Sequence, residues 1–120
     1  MLAYDRLIQI EERLGKELKT IFPLDLDGEA LRLILFFKDG TNLRVTEQWD
    51  GLILTRYSYY WLTAANALKM GWDNAPHHTS LKTFPHHKHV EEKENLQPSS
   101  ETCLEEVMAF IDKTKQLFNS

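Results

Sequence analysis

Apolar residues open the chain at helical spacing. Tyr4, Leu7, Ile8, Glu11, Leu14, Leu18 and Ile21 follow that period, with charge on the other faces. The pattern predicts an N-terminal helix, slightly weakened at Gly15 and stopped by Phe22-Pro23. An acidic connector, Leu24 to Glu29, follows. The period then changes. Leu31–Lys38 is almost continuously apolar, as for a strand buried on both faces. Asp39-Gly40 marks a tight turn, and Leu43–Gln48 alternates apolar with polar. In Ile53–Leu62, residues Ile53, Thr55, Tyr57, Tyr59 and Trp61 share one face, and Leu54, Arg56, Ser58 and Tyr60 the other. Leu68, Met70 and Trp72 alternate with Lys69, Gly71 and Asp73 in a fourth strand that Asn74-Ala75-Pro76 ends. Four sequential strands with short connections predict an antiparallel meander.

The second half is less regular. Residues 77–90 read as a loop with one edge strand, since Pro85 bars a central position. Residues 91–101 are polar and read as a mobile loop. Thr102 and Glu105 have capping-box spacing, and Leu104, Val107, Met108, Ile111 and Phe118 form the stripe of a second helix. The fold class is therefore α+β: an N-terminal helix, a four- to five-stranded antiparallel sheet, a His-rich loop or edge strand, and a C-terminal helix. Residues 1–120 read as a single domain.

Composition narrows the partners. The apolar fraction of 42% suits an ordinary globular core. No apolar run is long enough to span a bilayer, and no signal-peptide pattern opens the chain, so a cytoplasmic location and no membrane partner are expected. The lone Cys103 excludes an internal disulfide framework and reads as structural. A net charge of −4 argues mildly against nucleic acid, but the charge is uneven. Residues 32–90 carry seven Lys/Arg against four acids. That asymmetry permits a local anion site.

All five histidines lie between positions 77 and 89, four of them in two Pro-His-His steps. Imidazole exchanges protons near neutral pH and is the commonest metal ligand. On an extended segment His87 and His89 share a face, while His86 and Lys88 share the other. His87 and His89 would make a two-ligand arm for a divalent transition metal, completed by His77, His78 or Asp73. Metal-free RNA cleavage would instead use two imidazoles as base and acid. It also needs a cation for the developing phosphorane charge, which Lys88 or Arg56 could supply, and Tyr57 or Tyr60 could hydrogen-bond or stack on a base. Plainer readings stand beside these. One histidine of each pair can simply be hydrogen-bonded to backbone. Asp73-Asn74 can build a turn ahead of Pro76. Tyr57–Trp61 more often serves packing than base stacking.

The string Arg56-Tyr57-Ser58-Tyr59-Tyr60-Trp61, followed by Trp72-Asp73-Asn74-Ala75-Pro76-His77-His78 and Phe84-Pro85-His86-His87-Lys88-His89-Val90, resembles the signature of the TumE-type toxin family of prokaryotic toxin–antitoxin systems. The match covers roughly residues 31–90. One departure is Tyr60, at a position where that family commonly carries histidine. The resemblance implies a toxin with a cognate antitoxin as partner. A helix followed by an antiparallel sheet is also similar to the compact ribonuclease toxins of the RelE kind, a likeness of fold that carries no function by itself.

The expectation from the sequence is an endoribonuclease toxin that needs no metal or other cofactor. His86, His87 and His89 would carry proton transfer or phosphate contact, with His77 or His78 as partner. Lys88 would stabilise charge, Asp73 would orient one imidazole, and Arg56, Tyr57 and Tyr60 would bind substrate. RNA and the antitoxin are the expected partners, and a homodimer is left open. The rivals are a metal-dependent hydrolase or nuclease with a His-based site, and a non-enzymatic interaction module.

Overall fold

The computed structural model describes residues 1–76, 81 and 83–119. Its elements in chain order are α1 (Ala3–Leu14), a 3₁₀ turn (Gly15–Glu17), β1 (Leu18–Asp27), β2 (Ala30–Phe37), β3 (Asn42–Asp50), β4 (Ile53–Leu62), β5 (Leu68–Asp73), β6 (His87–Val90), β7 (Leu96–Pro98) and α2 (Leu104–Asn119). The seven strands form one antiparallel sheet in sequence order. The α+β class, the terminal helices and the meander are as the pattern predicts.

Strand number is the first correction. Four or five strands were expected, and seven are present among the described residues. The helical stripe ends at Leu14, and Leu18 and Ile21 belong to β1, which also takes in most of the supposed connector. Leu14, Leu18 and Ile21 are spaced for a helix, but Thr20, Ile21 and Phe22 favour a strand, and pairing with β2 decides between them. Gly28 and Gly51, both at φ 59°, open the two-residue turns of β1–β2 and β3–β4. Such hairpins need positive φ at that position. The segment expected as a mobile loop contains β7. Consequently β6 is not an edge; β7 covers it, and Pro98 sits on the outer strand.

One face of the sheet carries the core. Leu31, Leu33, Leu35, Leu43, Val45, Tyr57, Tyr59, Trp61 and Trp72 are buried there against Ala3, Ile10 and Leu14 of α1 and Leu104, Val107, Met108 and Ile111 of α2. Each such side chain contributes about 1.5–3 kcal/mol by leaving water. The predicted α2 stripe is therefore the buried one, as far as it is described. In α1 the buried positions are Ala3, Arg6, Ile10 and Leu14, whereas Tyr4 and Ile8 are exposed. Near the start of α2, Glu106 rather than Glu105 accepts from the Thr102 amide, at 2.8 Å. Glu105 turns to Arg6 and Arg13 instead.

Among the described residues no helix lies over the centre of the opposite face. Two cross-strand rows run along it side by side. Arg32, Thr46, Ser58, Asp73 and His87 are successive partners in one; Ile34, Arg44, Tyr60, Gly71 and His89 in the other. Antiparallel pairing thus brings residues from four hairpins to one surface.

Candidate functional site

The two rows end on a compact centre. Asp73, at the end of β5, pairs with His87 of β6 and lies beside His89. Its Oδ1 is 2.6 Å from His87 Nε2, and its Oδ2 is 3.2 Å from His89 Nε2. The other nitrogen of each ring meets a backbone carbonyl: His87 Nδ1 is 3.0 Å from the oxygen of Pro85, and His89 Nδ1 2.6 Å from that of Lys93. A carbonyl only accepts, so both Nδ1 atoms carry the proton. Asp73 is itself fixed, because its Oδ1 accepts from the Ala75 amide at 2.9 Å. That bond is the turn expected ahead of Pro76. Asn74 has a structural role here, accepting from the Tyr57 amide and donating to the Thr55 carbonyl.

Tyr60 closes the centre toward solvent. Its hydroxyl donates to Asp73 Oδ2 at 3.4 Å, and its ring lies 6.4 Å from that of His89. Burial and the Asp73 charge push the Tyr60 phenol up, so it remains a donor at neutral pH. The ring occupies space that only Gly71 leaves open. A Cβ at position 71 would stand 2.4 Å from Tyr60 Cδ1. In front of Asp73 lies a cavity of about 260 Å³, bounded by Thr46, Gln48, Arg56, Ser58 and Tyr60. Arg44 and Lys93 help line a second hollow of about 390 Å³ on the far side of Tyr60. The floor is well covered: His87 is 2% exposed and His89 9%.

The remaining predicted residues do not join this centre. His86 lies against the helix-covered side of the sheet, where its Nδ1 is 2.8 Å from the Tyr57 hydroxyl and the two rings stack. Burial and the Asp73 charge raise the Tyr57 phenol. Lys88, also on that side, is 3.5 Å from Glu101 and lies over the Phe110 ring. Glu101 in turn accepts from Trp72 Nε1 at 3.0 Å. His77 and His78 lie outside the described residues. The structure therefore brings Asp73, His87, His89, Tyr60 and Arg56 to one face and places His86, Lys88 and Tyr57 on the other. The alternation of His86, His87, Lys88 and His89 along a strand anticipates that division.

Sequence reasoning missed four contributors. Gly71 seats the Tyr60 ring, and only the pairing of β4 with β5 reveals it. Arg44 sits beside Tyr60 in the neighbouring strand. The Pro85 and Lys93 carbonyls are backbone groups, for which side-chain types give no signal.

A helix-backed antiparallel meander with a carboxylate and two imidazoles on its open, arginine-bearing face defines a small α+β protein with a polar surface site. The chain belongs to the TumE toxin family: the family profile, described as Toxin TumE, matches residues 6–115. No curated protein and no solved structure matches it. The chain is thus a toxin-family member, and no helix among its described residues is long and apolar enough to cross a membrane.

Proposed function

We propose that the chain is the toxin of a toxin–antitoxin pair and that it cleaves RNA on the open face of its sheet. The observation that carries this reading is the convergence of Asp73, His87 and His89 on one buried point at the foot of a cavity bordered by Arg56 and Tyr60. Phosphodiester cleavage by the 2′-oxygen needs a base for the 2′-hydroxyl proton and a donor for the departing 5′-oxygen. It leaves a cyclic phosphate and a free 5′-hydroxyl. Arg56, with Arg44 nearby, supplies cationic charge for the phosphate, and Tyr60 presents an aromatic surface to a base. An antitoxin that covered this face would block the site.

The hydrogen bonds bear on the route. For proton transfer without a metal, an Nε2 must swing away from Asp73, and His89 is the more exposed of the two rings. A metal-assisted route needs no such movement, because both Nε2 atoms already converge with the carboxylate.

The test is cleavage of a mixed RNA pool by the folded, untagged protein, with and without a strong chelator, beside His89→Gln and Tyr60→Phe. The expected result is cleavage by the wild type and a fall of at least a hundredfold in His89→Gln. Cleavage that persists under chelation assigns proton transfer to imidazole. Cleavage restored by added zinc assigns it to the metal-assisted route. No cleavage by the folded wild type under either condition overturns the ribonuclease reading.

A further inference from the structure

We infer that Asp73, His87 and His89 form a binding site for a divalent transition ion of the zinc class. Three features support this. The ligand atoms, one from each residue, all lie within 4.8 Å of one another. Each imidazole is held by an Nδ1–H bond to a fixed carbonyl, at Pro85 and at Lys93. That is the usual outer support of a metal-bound histidine, because it fixes the tautomer and turns the Nε2 lone pair inward. Finally, both Nε2 atoms face the same carboxylate, with Oδ1 2.6 Å from His87 and Oδ2 3.2 Å from His89, so three donor groups converge on one point.

The two rings meet edge to face with centroids 5.1 Å apart, so one divalent ion reaches both Nε2 atoms and the carboxylate together.

Geometry and ligand type narrow the ion. Zinc bonds of about 2.0–2.2 Å put tetrahedral ligand atoms roughly 3.4 Å apart. The three ligand atoms, all within 4.8 Å of one another, already stand near that spacing. Two nitrogens and one oxygen suit zinc, cobalt or nickel better than magnesium or calcium, which prefer oxygen alone. Three protein ligands leave a further position, as catalytic rather than structural zinc sites do. The cavity before Asp73, bounded by Ser58, Arg56 and Tyr60, lies where a water or a phosphate oxygen would complete the shell. A catalytic role for the ion rests on the ribonuclease reading above; binding does not.

The test uses the full, untagged chain after chelator stripping, with no RNA present. Zinc is added to ¹⁵N-labelled wild-type protein while the imidazole nitrogens are followed by NMR. Calorimetry gives stoichiometry and affinity in parallel, and Mg²⁺ serves as the oxygen-preferring control. The expected result is one zinc per chain, with Nε2 of His87 and His89 metal-bound and Nδ1 still protonated. His86→Gln, on the other side of the sheet, should bind as the wild type does. His87→Gln and His89→Gln should each lose at least tenfold in affinity. The inference is overturned if folded wild type takes up no zinc, if Mg²⁺ competes equally, if other rings carry the ion, or if both rings stay doubly protonated in its presence. Because the wild-type spectrum decides, a variant that fails to fold does not blunt the test. Zinc binding without RNA cleavage would sink only the ribonuclease reading; cleavage without zinc binding would sink only this one.

Discussion

A methyl group at position 71 would be driven into the ring of Tyr60, with 2.4 and 2.5 Å to two ring carbons. Glycine inside a strand ordinarily costs about 0.5–1 kcal/mol relative to alanine. Here that cost is offset by the seat it gives an aromatic ring next to Asp73 and His89. Gly71→Ala should therefore destabilise the fold by about 1–3 kcal/mol, since overpacking outweighs the entropic gain. It should also slow cleavage on the order of tenfold to a hundredfold by displacing Tyr60. Chemical denaturation checks the first effect. In the Gly71→Ala/Tyr60→Ala double variant the clash is gone, and most of the Gly71→Ala penalty should vanish. A Gly71→Ala protein as stable as wild type would refute the seating argument. At this scale the sequence was informative wherever period-two alternation applied, as with His87 and His89 on one face. It was silent on Gly71, whose role is defined by a residue in the next strand.

Between elements, the strongest tie is one that hydrophobic patterning hides. Arg6 of α1 is buried, with bonds of 2.8 and 3.0 Å to Glu47 of β3 and two of 2.9 Å to Glu105 of α2. Tyr59 and Trp49 also donate to Glu47, at 2.6 and 3.0 Å. The apolar residues Tyr4 and Ile8 suggest a face of α1 that is in fact exposed. Arg6 has a local partner in Gln9, at 2.6 Å, but the two carboxylates that hold it lie 41 and 99 residues away. The same tie predicts a pH dependence. Burial alone would raise the Glu105 carboxyl, but hydrogen bonds and charge from Arg6, with Arg13, hold it at about 2 against an ordinary 4.5. A carboxyl depressed on folding contributes its full stability above the unfolded value and loses it as pH falls through the folded one. Stability should therefore decline as pH drops from about 4.5 toward about 2. Glu105→Gln should be less stable than wild type by about 1–3 kcal/mol at pH 6, as expected for lost charge-assisted bonds. The gap should close near the acid end. Urea midpoints across that range decide the matter: a gap that does not narrow means that Glu105 is not the titrating group.

At the scale of the whole molecule, the sheet separates two kinds of chemistry. α1 and α2 both cover the face bearing Leu31, Leu33 and Leu35, which leaves Arg32, Arg44 and Arg56 on the side of the histidine centre. The alternation in β3, β4 and β5 implied two unlike faces, whereas the apolar run of β2 read as buried on both. Which of them the helices would cover, and that β7 would flank β6, depended on long-range pairing that no local window holds. The arrangement gives an acidic chain of net charge −4 a cationic strip, so RNA should be held locally rather than by overall attraction. Binding measured without turnover, on a 2′-deoxy-substituted strand, should weaken steeply with salt, since each neutralised phosphate releases counterion. Arg44→Gln and Arg56→Gln should each lower the slope of log affinity against log salt by about 1. Lys113→Gln, which alters an exposed cation of α2, should leave the slope unchanged. The three proteins have the same net charge, so any difference between them reports position alone. Equal slopes for all three would move the RNA off this face and separate the arginine strip from the Asp73 centre that it borders.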